Sequence, residues 1–120
     1  MYGIRGAITI KENSKDEIKK ASLELFEKII KENYIKLEDI VSIIISCTKD
    51  ITKDYPGKFI RENYKLGLVP IMHFNEMEVE VSLPFCIRFL ITVNGNNSNI
   101  KYVYLKEAEK LRADLFNHNN

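Results

Sequence analysis

The sequence lacks the features that define several large classes of protein. Its two cysteines, Cys47 and Cys86, lie in apolar stretches with no second ligand pair, so we expect neither a zinc site nor a disulfide framework. The formal net charge is +1, which creates no overall field for holding nucleic acid or an anionic membrane. No apolar run approaches the roughly 20 residues that a membrane span needs.

Motifs for common catalytic chemistry are missing as well. There is no glycine-rich phosphate loop, no Cys-x-x-Cys or His-x-Glu metal spacing and no serine in a nucleophile elbow. Of the two histidines, His118 lies in a polar end and His73 ends an apolar strand, where a neutral, partly exposed imidazole is commoner than a catalytic one. We therefore expect no metal and no cofactor, and an enzyme with this inventory must work by orientation and electrostatics.

The length of 120 residues predicts one domain with a core of its own. Hydrophobic residues make up 45% and charged residues 29% of the chain, as in ordinary globular proteins. We assign residues 1–115 to this domain and residues 116–120 to a polar C-terminal tail. The start of the chain shows no signal-peptide pattern, and we expect a cytoplasmic protein.

Hydrophobic periodicity predicts an α+β fold in which one mixed β-sheet carries a long helix and short helices. A capping box at Ser14 begins the long helix, which runs to about Asn33. The β-branched run 40–47 is typical of a strand covered on both faces, and with the preceding helix it predicts a βαβ unit. Pro56 suits the first position of a short helix over 57–64. The other predicted strands are Tyr2–Ile10, Leu68–Phe74, Phe85–Val93 and Lys101–Leu105.

Arginine is scarce in this lysine-rich chain, with 4 arginines among 18 basic residues. The guanidinium group is a planar fork that grips a carboxylate with two hydrogen bonds, whereas lysine is a point charge. Arg5 and Arg88 each interrupt an apolar strand, where a charge is costly without an anionic partner. Taken alone, the four arginines are equally explained as scattered surface residues. They are Arg5, Arg61, Arg88 and Arg112.

Five segments in register carry a resemblance to a known family. They are Gly3-Ile4-Arg5-Gly6-Ala7; Tyr55-Pro56-Gly57-Lys58-Phe59-Ile60-Arg61-Glu62; Val69-Pro70 with Asn75-Glu76-Met77; Cys86-Ile87-Arg88; and Val103-Tyr104-Leu105 with Leu111-Arg112. From Gly3 to Leu115 the chain resembles the monofunctional chorismate mutases of the AroH type. All four arginines fall on active-site positions of that family.

The resemblance implies an isomerase that converts chorismate to prephenate, a [3,3] Claisen rearrangement on the shikimate route to phenylalanine and tyrosine. It implies a homotrimer with a pseudo-barrel of sheets at its centre and three active sites between neighbouring subunits. A pericyclic reaction of this kind needs no base, nucleophile, metal or cofactor, which agrees with the residue inventory.

The resemblance also implies a role for each site residue. Arg88 donates to the ether oxygen, Arg5 grips the side-chain carboxylate with help from the Tyr104 hydroxyl, and Glu76 accepts from the ring hydroxyl. Arg88, Glu76 and Arg5 make the catalytic set, and Tyr104 is a substrate-binding residue. Lys58 and Arg61 come from the neighbouring subunit, Tyr55 forms an apolar wall, and Leu111 and Arg112 close over the site as a lid. Three further substrate-binding positions depart from the family pattern. Gly57 stands where alanine is expected, Met72 where a small polar residue is expected, and His73 where a smaller residue, often cysteine, is expected.

Considered without the family, several residues have simpler explanations. Glu76 fits a solvated acidic run over 76–80, Tyr104 fits a core aromatic, and Lys58 with Arg61 fits the exposed face of a short helix. Two other functions stay open at this level. One is a catalytically silent sensor of aromatic acids, and the other is an imine or enamine deaminase of a related trimeric fold.

Overall fold

The computed structural model describes residues 1–111, so Arg112, His118 and the predicted tail lie outside the described residues. None of the helices described is both long and apolar enough to cross a membrane. Short 3₁₀ turns occupy Leu37–Asp39 and Lys106–Ala108. The main elements are β1 (Tyr2–Thr9), α1 (Lys15–Glu32), β2 (Ile40–Cys47), α2 (Pro56–Tyr64), β3 (Ile71–Asn75), β4 (Cys86–Val93) and β5 (Val103–Leu105).

The five strands form one mixed sheet in the order β3-β2-β4-β1-β5. Strand β4 is antiparallel to both β1 and β2, while β3 runs parallel to β2 and β5 parallel to β1. Strands β1 and β2 are therefore parallel to each other, as the predicted βαβ unit requires, but β4 lies between them. The predicted α+β fold is confirmed.

Helix α1 covers one face of the sheet and forms the core with it. Its buried positions recur three and four residues apart, which places them on one side of the helix. Full burial of each such apolar side chain contributes roughly 1.5–3 kcal/mol to folding. The fully buried side chains include Ile18, Leu25, Phe26 and Ile29 of α1 and Ile4, Ile8, Ile43, Ile45, Ile87 and Ile91 of the sheet.

Both ends of α1 are closed by side chains. As predicted, Ser14 is the N-cap, and its Oγ accepts the backbone N–H of Glu17 at 3.2 Å. At the other end the buried Asn33 amide donates to the carbonyls of Ile29 (3.0 Å) and Lys101 (2.9 Å). Its Oδ1 accepts the N–H of Lys101 at 2.8 Å. Asn33 therefore holds the segment that leads into β5 against the end of α1.

The cysteines are buried as free thiols. Burial raises the pKa of Cys47 to about 12 and that of Cys86 to about 11. Both thiols therefore stay protonated at neutral pH and act as small apolar side chains.

Two sequence predictions about the strands need correction. Strand β2 is not covered on both faces within this chain, because Val41 and Ile44 remain 39% and 41% exposed. A continuous β-branched run gives no alternation from which the open face can be recognised. Strand β3 begins at Ile71 rather than Leu68, since a turn precedes it in which the Val69 N–H donates to the Leu66 carbonyl at 3.1 Å.

We predict that Gly6→Ala destabilises the fold by about 1–3 kcal/mol, because the strand and α1 approach too closely for a side chain. A Cβ there meets the Cδ1 of Ile29 at 2.7 Å and the carbonyl oxygen of Val103 at 3.1 Å. Urea denaturation measures the change as a lower midpoint at unchanged m-value. The control is Gly67→Ala, whose Cβ has no neighbour within 4 Å. Equal stability of the two variants would contradict the close packing.

Candidate active site

The face of the sheet opposite α1 carries the polar side chains. Residues directly paired across strands point to the same face, so the register places Arg88 beside Ala7 and Ser46. Tyr104 pairs with Ala7 on the other side. One row across the sheet therefore reads Tyr104, Ala7, Arg88, Ser46 and Phe74. The next row reads Arg5, Leu90, Ile44 and Met72.

A cleft of about 210 Å³ opens on this face between the two rows. Arg5, Arg88 and Tyr104 all line it, together with the hydroxyl-bearing Ser46. Because Ala7 and Ser46 are small, the row leaves room around the guanidinium of Arg88. Strand register alone thus brings together two predicted catalytic residues, Arg5 and Arg88, and the predicted substrate-binding residue Tyr104, although they are far apart in sequence.

Glu76, the third predicted catalytic residue, is paired with Arg88. Its Oε1 lies 2.5 Å from Nε of Arg88, and the two side chains are 15% and 38% exposed. Neither of these two buried atoms has a hydrogen-bond partner elsewhere in the described residues. The backbone N–H of Glu76 donates to the Cys47 carbonyl at 2.8 Å, which fixes the residue just beyond the end of β3. The explanation of Glu76 as a freely solvated carboxylate is wrong.

Arg5 has a different partner, the ring of Tyr102, which the sequence analysis did not single out. The Cζ of Arg5 lies 4.5 Å from the ring centroid, a cation–π contact. Within residues 1–111 no carboxylate lies within 4.0 Å of Arg5. The signal available in the sequence is the i, i+2 spacing of Tyr102 and Tyr104, which puts both rings on one face of an extended chain.

Tyr104 is 9% exposed and packs with Ala7, Cys86 and Ala108 while also lining the cleft. Burial raises its pKa, and the nearby charges of Arg5 and Arg88 oppose that shift. The hydroxyl therefore stays protonated at neutral pH and is able to donate a hydrogen bond. The core explanation of Tyr104 is correct, and because the packed ring lies at the cleft wall its contact with substrate stays a prediction.

The loop after β2 anchors the start of β4, and with it Arg88. The Asp50 carboxylate accepts the N–H of Phe85 at 3.0 Å and the Thr48 hydroxyl proton at 2.5 Å. The Thr48 oxygen in turn accepts the N–H of Cys86 at 2.9 Å. Sequence reasoning missed this anchor, although a Thr-x-Asp step at a strand end is a recognisable turn signal.

The remaining predicted residues of α2 do not line the cleft. Lys58 and Arg61 lie on the exposed side of this helix, as the alternative explanation stated. Lys58 Nζ is 3.1 Å from Oδ2 of Asp54. Tyr55, just before the helix, is 65% exposed. These groups lie beside the edge strand β3, and two strands, β2 and β4, separate β3 from β1 and Arg5.

Met72 and His73 occupy opposite faces of β3. Met72 is 59% exposed and shares the face of the cleft, whereas His73 and Ile71 contact Gly57 of α2 on the helix-covered face. Leu111 packs against the cluster that contains Tyr104. Residues 1–111 contain no group of three histidine, cysteine, aspartate or glutamate side chains placed to hold a metal ion.

The cleft is lined by two cations and a protonated phenol, and one of the cations is paired with a carboxylate. This arrangement suits a small anion with carboxylate groups.

Comparisons with known proteins identify the family of the chain. Residues 1–115 match the family Chorismate mutase type I. The chain is 39% identical over 115 residues to the chorismate mutase AroH of Bacillus subtilis, covering 94% of this chain and 91% of that one. It is 36% identical over 118 residues to that of Thermus thermophilus, covering 94% of each chain.

Among solved structures, a chorismate mutase from Clostridium thermocellum superposes with a TM-score of 0.87 at 34% identity. The match covers 92% of this chain and 99% of that one, so the fold and the sequence identify the same relatives. The deaminase alternative has no support from these findings. The chain belongs to the chorismate mutase type I family.

Proposed function

We propose that this protein converts chorismate to prephenate in the cleft between β1, β4 and β5, at a site completed by a neighbouring subunit. Chorismate mutase is the activity of its family. The observation that carries the proposal is the convergence of Arg5, Arg88 and Tyr104 on one cleft, with Glu76 held against Arg88.

The reaction requires only that one molecule be held and its charge redistribution stabilised. Chorismate carries two carboxylates, a ring hydroxyl and a vinyl ether whose C–O bond breaks while a C–C bond forms. Holding the enolpyruvyl arm over the ring in a compact chair-like geometry supplies several kcal/mol of the catalysis, on the order of other intramolecular alignments. Preorganised charge at the breaking bond then supplies the largest single contribution.

Arg88 and Glu76 act on the two ends of that charge redistribution. Arg88 has five N–H donors, and Oε1 of Glu76 lies against the one on Nε. We assign a donor on the terminal nitrogens to the ether oxygen, on which negative charge grows in the transition state. Glu76 accepts from the ring hydroxyl, and its negative charge lies near the ring as the ring becomes electron-poor. The ion pair also restrains both side chains before substrate arrives.

Arg5 and Tyr104 bind the carboxylate of the enolpyruvyl arm. Arg5 has no carboxylate partner within residues 1–111 and is stacked on Tyr102, which holds the guanidinium plane while leaving its edge for a bidentate contact. Tyr104 contributes a protonated hydroxyl. A carboxylate is present in substrate and transition state alike, so this contact provides binding more than acceleration.

The homotrimer is supported by the open face of the sheet. Ile44, Leu90, Met72 and Phe74 lie together on that face and are between 41% and 59% exposed, which is unusual for apolar side chains of a sheet centre. A second subunit packed there covers them and brings its own α2 to the cleft. Lys58 and Arg61 would then reach the substrate from the neighbour, with Tyr55 and Gly57 at the wall.

Leu111 already packs on the Tyr104 cluster, which fits a lid that closes over the bound substrate with Arg112. Met72 shares the face of the cleft and is proposed to contact substrate there.

The cytoplasmic location of the protein stays a prediction.

The direct test mixes the purified protein with chorismate, follows the loss of its ultraviolet absorbance and identifies prephenate as product. We predict that Arg88→Ala lowers kcat by about 10²–10³-fold with a smaller change in KM, because its contact forms mainly in the transition state. Arg88→Lys recovers part of the loss, since it keeps the charge without the fork. Arg5→Ala is the matched comparison and raises KM instead.

Circular dichroism and sedimentation must show that each variant is folded and assembled as the parent is. Binding of chorismate without turnover by the parent protein would favour the silent sensor. An Arg88→Ala variant with normal kcat would contradict the assignment of Arg88 to the ether oxygen.

We predict that mixing inactive Arg61→Ala with inactive Arg88→Ala, after reversible dissociation, restores part of the activity. In a mixed trimer with shared sites, some clefts combine Arg88 from an Arg61→Ala subunit with Arg61 from a neighbouring Arg88→Ala subunit, and so contain both arginines. Activity assays with sedimentation of the mixture measure this, and each variant mixed with itself is the control. A fully active monomer would contradict the composite site.

We predict that Tyr102→Leu raises KM for chorismate by about threefold or more, because the stack that orients Arg5 is lost. Tyr102→Phe is the control, which keeps the ring and removes only the hydroxyl, and its KM should stay near that of the parent. Steady-state kinetics distinguish the two variants. An equal rise in both would show that the hydroxyl, and not the ring, matters.

A further inference from the structure

The N-terminus of α2 lacks a cap from its own sequence. Tyr55 occupies the N-cap position without a side-chain hydrogen bond, and Pro56 has no N–H to satisfy. The N–H of Lys58 donates to the Tyr55 carbonyl at 3.1 Å. The first N–H of the helix that needs a partner therefore belongs to Gly57. This N–H donates to Nε2 of His73, a residue of the adjacent strand β3, at 2.9 Å.

The imidazole fits because residue 57 has no side chain. A Cβ on Gly57 would lie 2.8 Å from Cε1 and 2.9 Å from Nε2 of His73, and 2.7 Å from Cγ2 of Ile71. These distances are shorter than ordinary carbon contacts, so a larger residue displaces either the ring or the helix. The other side of the ring is covered by Tyr55, whose ring centroid is 5.2 Å from that of His73.

We propose that His73 is a positioning residue whose Nε2 caps helix α2 at Gly57 and so sets the place of Lys58 and Arg61. Its effect on catalysis rests on the proposed function, in which these two cations reach chorismate in the neighbouring subunit. The cap itself is a property of the single chain.

The capping bond fixes the tautomer and requires a neutral ring. Nε2 accepts a hydrogen bond from the N–H of Gly57, so the proton of the neutral imidazole resides on Nδ1. A protonated ring presents an N–H to the N–H of Gly57 and loses the bond. It also places a positive charge at the positive end of the α2 dipole.

The surroundings of His73 favour the neutral form. Burial lowers its pKa, and the positive charge of Arg61 on α2 lowers it further. The loop before α2 and the end of β2 contribute Lys53, Asp54 and Cys47 to the same cavity. Hydrogen bonds from Tyr55 and Lys58 lower the pKa of Asp54, and burial raises that of Cys47 to about 12, so neither of these changes charge at mildly acidic pH.

The sign of the pH effect follows from this lowered pKa. The unfolded chain takes up a proton on His73 as the pH falls through about 6.5, whereas the folded chain does so only at a lower pH. The stability contributed by the cap is therefore complete above about pH 6.5 and is lost as the pH falls through the pKa of the folded protein.

The first experiment measures the imidazole directly and does not depend on any activity. Nitrogen-15 spectra of the His118→Gln variant, which leaves His73 as the only imidazole, should show the Nδ1–H tautomer and a pKa below 6.5. A ring protonated on Nε2 at neutral pH, or a pKa at or above 6.5, would overturn the proposal.

The second experiment is a double-mutant cycle on stability. Gly57→Ala should raise the unfolding equilibrium constant by roughly tenfold, because the methyl group collides with the ring. In the His73→Ala background, the factor by which Gly57→Ala raises the unfolding equilibrium constant should be at least about threefold smaller. The destabilisation that remains there comes from the collision of the new methyl group with Ile71. Gly67→Ala is the matched control and should behave alike in both backgrounds. Additive costs of Gly57→Ala and His73→Ala would overturn the fit of ring to glycine.

The third experiment tests whether the cap affects the binding of chorismate. Between about pH 7.5 and a pH below the His73 pKa that the first experiment measures, KM for chorismate should rise by about three- to tenfold in the parent protein, as one hydrogen bond is lost. In His73→Gln, whose amide oxygen accepts but does not titrate, KM should stay nearly flat. If KM changed with pH in the same way in the parent protein and in His73→Gln, the positioning role would be contradicted. Absence of turnover in both proteins would contradict the proposed function, and the first two experiments would then decide whether the cap exists.

Discussion

The register of β4 between β1 and β2 is the constraint on which the site depends. Side chains alternate between the two faces of a strand, so a slip of one residue would bury Arg88 under α1 and expose Ile87 or Phe89. The fully buried isoleucines of the three strands oppose such a slip. The same burial that stabilises the domain therefore also directs Arg88 to the open face, between the small residues Ala7 and Ser46.

Charge in the cleft is arranged before the substrate arrives. Glu76 compensates Arg88, while Arg5 is supported by an aromatic ring rather than by a carboxylate. If carboxylates paired with both arginines, an ion pair would have to break before a substrate carboxylate could bind. In this cleft Arg88 is restrained by Glu76 at the position proposed for the ether oxygen, and Arg5 remains available for a carboxylate. Such preorganisation is what a unimolecular rearrangement requires.

The single chain leaves its site open on one side. The cations of α2 lie beside β3, which two strands separate from the strand of Arg5. The apolar side chains that face outward are Ile44, Leu90, Met72 and Phe74. Both facts are explained if subunits pack through this face. The place of α2 is then important for the site of a different subunit, and a bond as local as that between Gly57 and His73 affects a distant contact.

Much of the local structure was predictable, because it depends on neighbours in sequence. The capping box placed the start of α1 at Ser14, and hydrophobic periodicity located all five strands to within a few residues. The scarcity of arginine drew attention to Arg5 and Arg88, and the order of the motifs indicated the family. Residue types and short spacings are enough for such conclusions.

Contacts between distant segments were decided only by the tertiary structure. The insertion of β4 into the βαβ unit and the pairing of Glu76 with Arg88 have no local signal from which they follow. The spacing of Tyr102 and Tyr104 indicates a shared face but does not show that Tyr102 contacts Arg5. The sequence made Gly57 and His73 look like two separate departures from a family pattern. In the folded chain they are one feature, since the space that glycine leaves is the space that the imidazole fills.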